Sequence, residues 1–180
     1  MVDLGCDAIW HYIVENKEVV KLNKTVMEEG SGPRHMAVHH KRKLVFVVFE
    51  LKSLVEVYRV NVTDGSLKFV QQVMLSEHKE DYGAEIVVGP ECEHVYASSR
   101  GSGVIVVYRL GEDDLLIRVQ EFNLGGSWPR HFAIRGQVMV VADQRGDSVQ
   151  VVTIDKETGE LYGGDMIKTE RQPAFVCFVD

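Results

Sequence analysis

A short motif returns along this chain, and its spacing limits the fold more than any other feature. Gly32-Pro33-Arg34-His35-Met36-Ala37-Val38 reappears as Trp128-Pro129-Arg130-His131-Phe132-Ala133-Ile134. The two prolines are separated by two steps of about 48 residues. Near the midpoint stands Gly83-Ala84-Glu85-Ile86-Val87-Val88, and a fourth copy opens at Gln172-Pro173-Ala174-Phe175-Val176. Three further segments follow each motif in register. The second runs Leu44–Phe49, His94–Ser98 and Val138–Ala142. The third runs Val55–Val60, Val104–Leu110 and Val149–Ile154. The fourth runs Leu67–Val73, Leu116–Phe122 and roughly Gly164–Lys168. Ala8–Ile13 and Val19–Leu22 match third and fourth segments that lack their first two.

Each segment is short, rich in Val, Ile, Tyr and Phe, and bounded by turn residues, which is how strands read. Thr63-Asp64-Gly65-Ser66 and Glu157-Thr158-Gly159-Glu160 supply hairpin turns. No apolar period of 3.6 is sustained, so long helices are not expected. Ser76 to Tyr82 is charged and reads as a loop. Four antiparallel strands repeated about every 45–50 residues define a propeller blade. The expected fold is therefore all-β: a partial β-propeller of about three and a half blades in a single domain. An incomplete blade covers about 1–29, complete blades cover 30–82, 83–127 and 128–171, and a final strand covers 172–180.

Composition narrows the function classes. The 180 residues carry 20 Lys+Arg against 27 Asp+Glu, a net charge of −7, which argues against nucleic acid or an anionic membrane as a partner. The longest purely apolar run, Leu44–Phe49, is far too short to span a bilayer. The first residues show no signal peptide. Cys6, Cys92 and Cys177 are odd in number and lack metal-ligand spacing, so reduced thiols and a cytoplasmic location are expected. No cofactor and no metal are expected.

In a propeller the first strand of each blade is innermost, and its start lies beside the end of the second. The repeat therefore gathers Arg34, His35 and Glu50 from one blade, Glu85 and Arg100 from the next, and Arg130, His131 and Gln144 from the third around one mouth of the channel. Charges that interrupt apolar inner strands need a reason. Carboxylates, guanidiniums and imidazoles converging in one cleft suit a small anionic ligand. Inter-blade ion pairs and structural histidines are the rival reading, and Gln144 reads as structural. The basic run His39-His40-Lys41-Arg42-Lys43 reads as a solvated hairpin turn. His11, His78 and His94 carry no signal, and Gly101-Ser102-Gly103 joins two strands without opening a helix. Trp10 and the tyrosines at 12, 58 and 108 recur in third strands and read as packing.

The ordered set resembles the seven-bladed propeller lactonases of the 6-phosphogluconolactonase type, to which carboxy-muconate cyclases are related in fold. The resemblance rests on Gly32-Pro33-Arg34-His35-Met36, Val48-Phe49-Glu50-Leu51, Ala84-Glu85-Ile86, Tyr96-Ala97-Ser98-Ser99-Arg100-Gly101, Pro129-Arg130-His131-Phe132, Ala142-Asp143-Gln144 and Gln172-Pro173-Ala174-Phe175-Val176. It covers essentially the whole chain but only the C-terminal half of such a protein. Phe49, Ser99 and Asp143 depart from the family's small polar residues beside the site. The resemblance implies hydrolysis of a phosphorylated sugar lactone. Glu50, Glu85, His35 and Arg100 are then the expected catalytic group, and Arg34, Arg130, His131 and Gln144 the substrate-binding group. A muconate-type cyclase and a non-catalytic scaffold are the alternatives. Self-association through open blade edges is also expected, since two such chains hold about the strands of one ring.

Overall fold

The computed structural model describes residues 1–76 and 81–179. Part of the expected Ser76–Tyr82 loop, with His78, lies outside those residues, as does Asp180. Fifteen strands form four antiparallel sheets in simple up-and-down order. The first sheet holds β1 (Val2–Asp3), β2 (Ala8–Glu15) and β3 (Glu18–Val26). The second holds β4 (Pro33–His39), β5 (Leu44–Phe49), β6 (Leu54–Val60) and β7 (Leu67–Met74). The third holds β8 (Gly83–Val88), β9 (His94–Ser99), β10 (Val104–Leu110) and β11 (Leu116–Asn123). The last holds β12 (Pro129–Arg135), β13 (Val138–Asp143), β14 (Ser148–Ile154) and β15 (Leu161–Lys168). This is the partial propeller that the repeat predicts.

The apolar residues are packed between sheets rather than at one centre. In β5 every residue is buried, and the strand's pleat divides them. Val45, Val47 and Phe49 meet Ile9 and Met27 of the first sheet. Leu44, Phe46 and Val48 meet Ile86, Val95 and Ala97 of the third. β10 repeats the scheme, with Val104, Val106 and Tyr108 turned one way and Ile105 and Val107 turned toward Phe132, Met139 and Val141. A strand buried on both faces reads as an unbroken apolar run, which is why these second and third segments stand out in the sequence.

Two elements differ from expectation. Residues 172–179 form no strand. A strand exists through its ladder, and among the described residues none pairs with this segment. The segment instead lies against β12: Val176 N donates to His131 Nδ1 at 3.4 Å, and Arg135 donates to the Val179 carbonyl at 3.3 Å. In the basic turn after β4, His40, Lys41 and Lys43 are exposed as a solvated turn requires, but His39 and Arg42 are not. His39 is buried with Nε2 at 3.1 Å from the Cys92 carbonyl, and Arg42 donates to the Gly111 carbonyl at 2.5 Å. Both tie the second sheet to the third at the end of the strands away from the polar mouth.

Candidate active site

The inner strands are not regular where the polar residues stand. Pro33 pairs with Phe49 and His35 with Val48, so Arg34 is an extra residue in the ladder. Pro129 pairs with Asp143 and His131 with Ala142, which leaves Arg130 extra in the same way. Gly83 pairs with Ser99 and Ile86 with Ala97, with a register shift across Ala84 and Glu85. A bulge of this kind bends the strand and re-aims its side chains. The second strands end alike. The amides of Glu50, Arg100 and Gln144 donate to the carbonyls of Gly32, Tyr82 and Trp128 at 2.8, 2.9 and 3.1 Å. Three bulges and three strand ends thus deliver the eight residues to one end of the sheets.

Six of them meet in one network. Glu50 accepts from Arg34 Nε at 3.3 Å and from Arg100 Nη2 at 2.8 Å. Arg34 also donates to the Ala84 carbonyl at 2.5 Å, next to Glu85. Glu85 is nearly sealed, with its side chain 4% exposed. Its Oε1 lies 2.5 Å from His35 Nδ1 and its Oε2 lies 3.6 Å from His131 Nε2. Burial, and then the Arg100 charge, lower the Arg34 pKa, partly offset by Glu50 and Glu85. Burial lowers the His131 pKa, with Glu85 opposing, so His131 is neutral at neutral pH. Its Nδ1 accepts from Val176, which leaves the proton on Nε2, toward Glu85.

Arg130 is half-buried near Arg34, within reach of its charge. Among the described residues it makes no hydrogen bond or ion pair, so its five donors are unengaged. Gln144 occupies the matching strand end, but its side chain makes no hydrogen bond to the other seven. The residues that depart from the family pattern are turned away from the polar cluster. Phe49 packs in the core, Ser99 bonds Ser53 Oγ at 2.9 Å, and Asp143 accepts from the Ser127 amide at 2.9 Å. The repeat does not single out Tyr82, Trp128 or Arg145 as site residues. Tyr82 and Trp128 lie 5.7 Å apart, both beside Arg100, and Arg145 lies over Trp128. The available signal was Trp128 standing where the first copy has Gly32.

Up-and-down antiparallel sheets stacked side by side, with a polar cluster at one end of their first strands, define a β-propeller. The family model for the seven-bladed β-propeller lactonases matches residues 1–178. The chain belongs to that family. It is 32% identical over 136 residues to a 6-phosphogluconolactonase of Xenorhabdus nematophila, an alignment covering 74% of this chain and 42% of that protein. The periplasmic gluconolactonase PpgL of Pseudomonas aeruginosa superposes with a TM-score of 0.90 at 21% identity, over 99% of this chain and 53% of that one. A Lactobacillus plantarum protein superposes with a TM-score of 0.89 at 23% identity, over 95% and 52%. Those two establish likeness of fold. The chain spans about half the length of the relatives it matches.

Proposed function

We propose that this chain carries a lactonase site that opens a phosphorylated sugar lactone. The observation that carries the reading is the His35–Glu85 pair, with the unengaged guanidinium of Arg130 within reach of Arg34 in the adjoining cluster. Glu85 is too enclosed to take a proton from water itself, while the His35 side chain is 45% exposed. Glu85 accepts the Nδ1 proton of His35 and holds the ring, leaving Nε2 as the base. His35 Nε2 removes a proton from a water that attacks the lactone carbonyl. The oxyanion that forms is stabilised by Arg130, a cation with free donors. The tetrahedral centre then collapses, the ring C–O bond breaks, and the leaving oxygen takes the proton back from His35. The products are the open hydroxy acid and the regenerated site.

Glu50 serves differently, because two guanidiniums already hold it. Its role is to fix Arg34 and Arg100 at the mouth, where they balance the acid product's charge. His131 and Gln144 line the sugar side. The chemistry needs no cofactor. The name of the Xenorhabdus relative and the family match support the reaction class. Cys6, Cys92 and Cys177 are unpaired, which supports a cytoplasmic setting.

The test is hydrolysis of freshly generated 6-phosphogluconolactone, with the spontaneous rate subtracted, beside a Glu85→Gln, Arg130→Ala double variant. Catalysis that falls to background in a folded variant is the expected result. A folded wild-type chain with no rate above background overturns the reading.

A further inference from the structure

The residue before the inner-strand proline turns through the left-handed region in every copy that has one. Its φ is +63° at Gly32, +53° at Gln172 and +82° at Trp128. Glycine takes this conformation freely, whereas a bulky aromatic residue there is strained. Such strain persists where the surroundings fix it, and it concentrates at binding sites. The position after the second strand's end departs from the repeat as well: Leu51 and Gly101 in two copies, Arg145 in the third.

The two exceptions meet each other. The Arg145 guanidinium carbon lies 3.3 Å from the centre of the Trp128 ring. Its backbone is fixed by an amide donating to the Ser127 carbonyl at 3.1 Å. The side chain is exposed and, among the described residues, has no carboxylate partner. A guanidinium laid on an indole directs its N–H edge outward in the plane, where it can grip an anion with two bonds. Arg100 lies 5.4 Å from the same ring, so the indole joins Arg145 to the network around Glu50.

We infer that Trp128 and Arg145 form a distal subsite that binds the phosphate monoester of the substrate and so selects phosphorylated over plain sugar lactones. The inference rests on the lactonase reading for the reaction, but its binding test does not. Arg145 acts through charge-assisted bonds, and Trp128 is the positioning residue beneath it.

Two measurements test it. In kinetics, Arg145→Ala lowers the ratio of kcat/KM for 6-phosphogluconolactone over gluconolactone by about tenfold or more, mostly through KM. Trp128→Gly lowers the same ratio, Trp128→Phe restores much of it, and the glycine variant resists urea no less than the wild type. In binding, Trp10→Phe leaves Trp128 as the sole indole, and 6-phosphogluconate and gluconate are titrated against its emission. 6-Phosphogluconate binds more tightly than gluconate, and Arg145→Ala added to that background removes the difference. Equal losses on both substrates, or no loss, overturn the subsite while wild-type hydrolysis still upholds the reaction. Selective binding without hydrolysis upholds the subsite and overturns the reaction. No preference for 6-phosphogluconate in binding overturns the subsite in either case.

Discussion

Glu50 is the residue on which the mouth's charges depend. Arg34 and Arg100 both reach it, and the Arg100 side chain is only 5% exposed. Removing the negative charge leaves two guanidiniums facing each other with little water to separate them. Glu50→Gln is therefore expected to cost about 2–4 kcal/mol of stability, read as a lower urea midpoint with an unchanged slope. On the proposed mechanism His35→Gln has a different signature: stability close to wild type and a loss of about 10²–10⁴ in kcat, because the proposed base alone would be gone. The polar positions of this site were legible because the repeat aligned them. Arg34, His35, Glu50, Glu85, Arg100 and His131 each fall at a copy's matching point, and each enters one network. Trp128 and Arg145 were not, because alignment rewards agreement between copies and they are where one copy disagrees. The inward direction of Phe49, Ser99 and Asp143 was also hidden. A sequence does not show which residue a bulge leaves unpaired, so it places these residues beside the site without showing which way they point.

Strand by strand, the fold was readable to the extent that burial on both faces made the apolar runs continuous. β5 and β10 are of this kind. β1 was not, being two residues long, and the segment after Gln172 carries a strand's sequence without a strand's partner. Close packing where inner strands meet the next sheet leaves no room for added atoms. A Cβ at Gly83 would stand 2.6 Å from the Phe49 carbonyl oxygen and 2.7 Å from Val48 Cγ2. Gly83→Ala is expected to destabilise by about 1–3 kcal/mol, measured by denaturant unfolding, since backbone must move. At the other end of the same strands His94 is 7% exposed, with its ring against Gly159. Burial lowers the pKa of His94, as it does for His131, from 6.5. The folded state then holds fewer protons than the unfolded chain once the pH falls below about 6.5. Stability should be level above that pH and fall below it, and His94→Phe should flatten part of the fall. Urea midpoints at pH 7.5 and 5.5 measure this.

Across the whole molecule, stability is a chain of contacts between adjacent sheets, and the two outermost sheets each have one neighbour instead of two. Their outer strands carry exposed apolar side chains: Val19, Leu22 and Val26 on β3, and Tyr162, Met166 and Ile167 on β15. The chain made by itself is expected to associate at micromolar concentration, seen by light scattering, and to dissociate on dilution. A monomer at every concentration would oppose this. On the lactonase reading, the order of the sheets also decides how activity would be lost. The knot of Glu50, Arg34 and Arg100 belongs to the two interior sheets, while Arg130, His131, Trp128 and Arg145 belong to the last. Opening of that one sheet would strip the mouth of half its chemistry and leave most of the ladder closed. Warming should then silence the protein before it melts, so that its inactivation curve precedes its loss of strand signal.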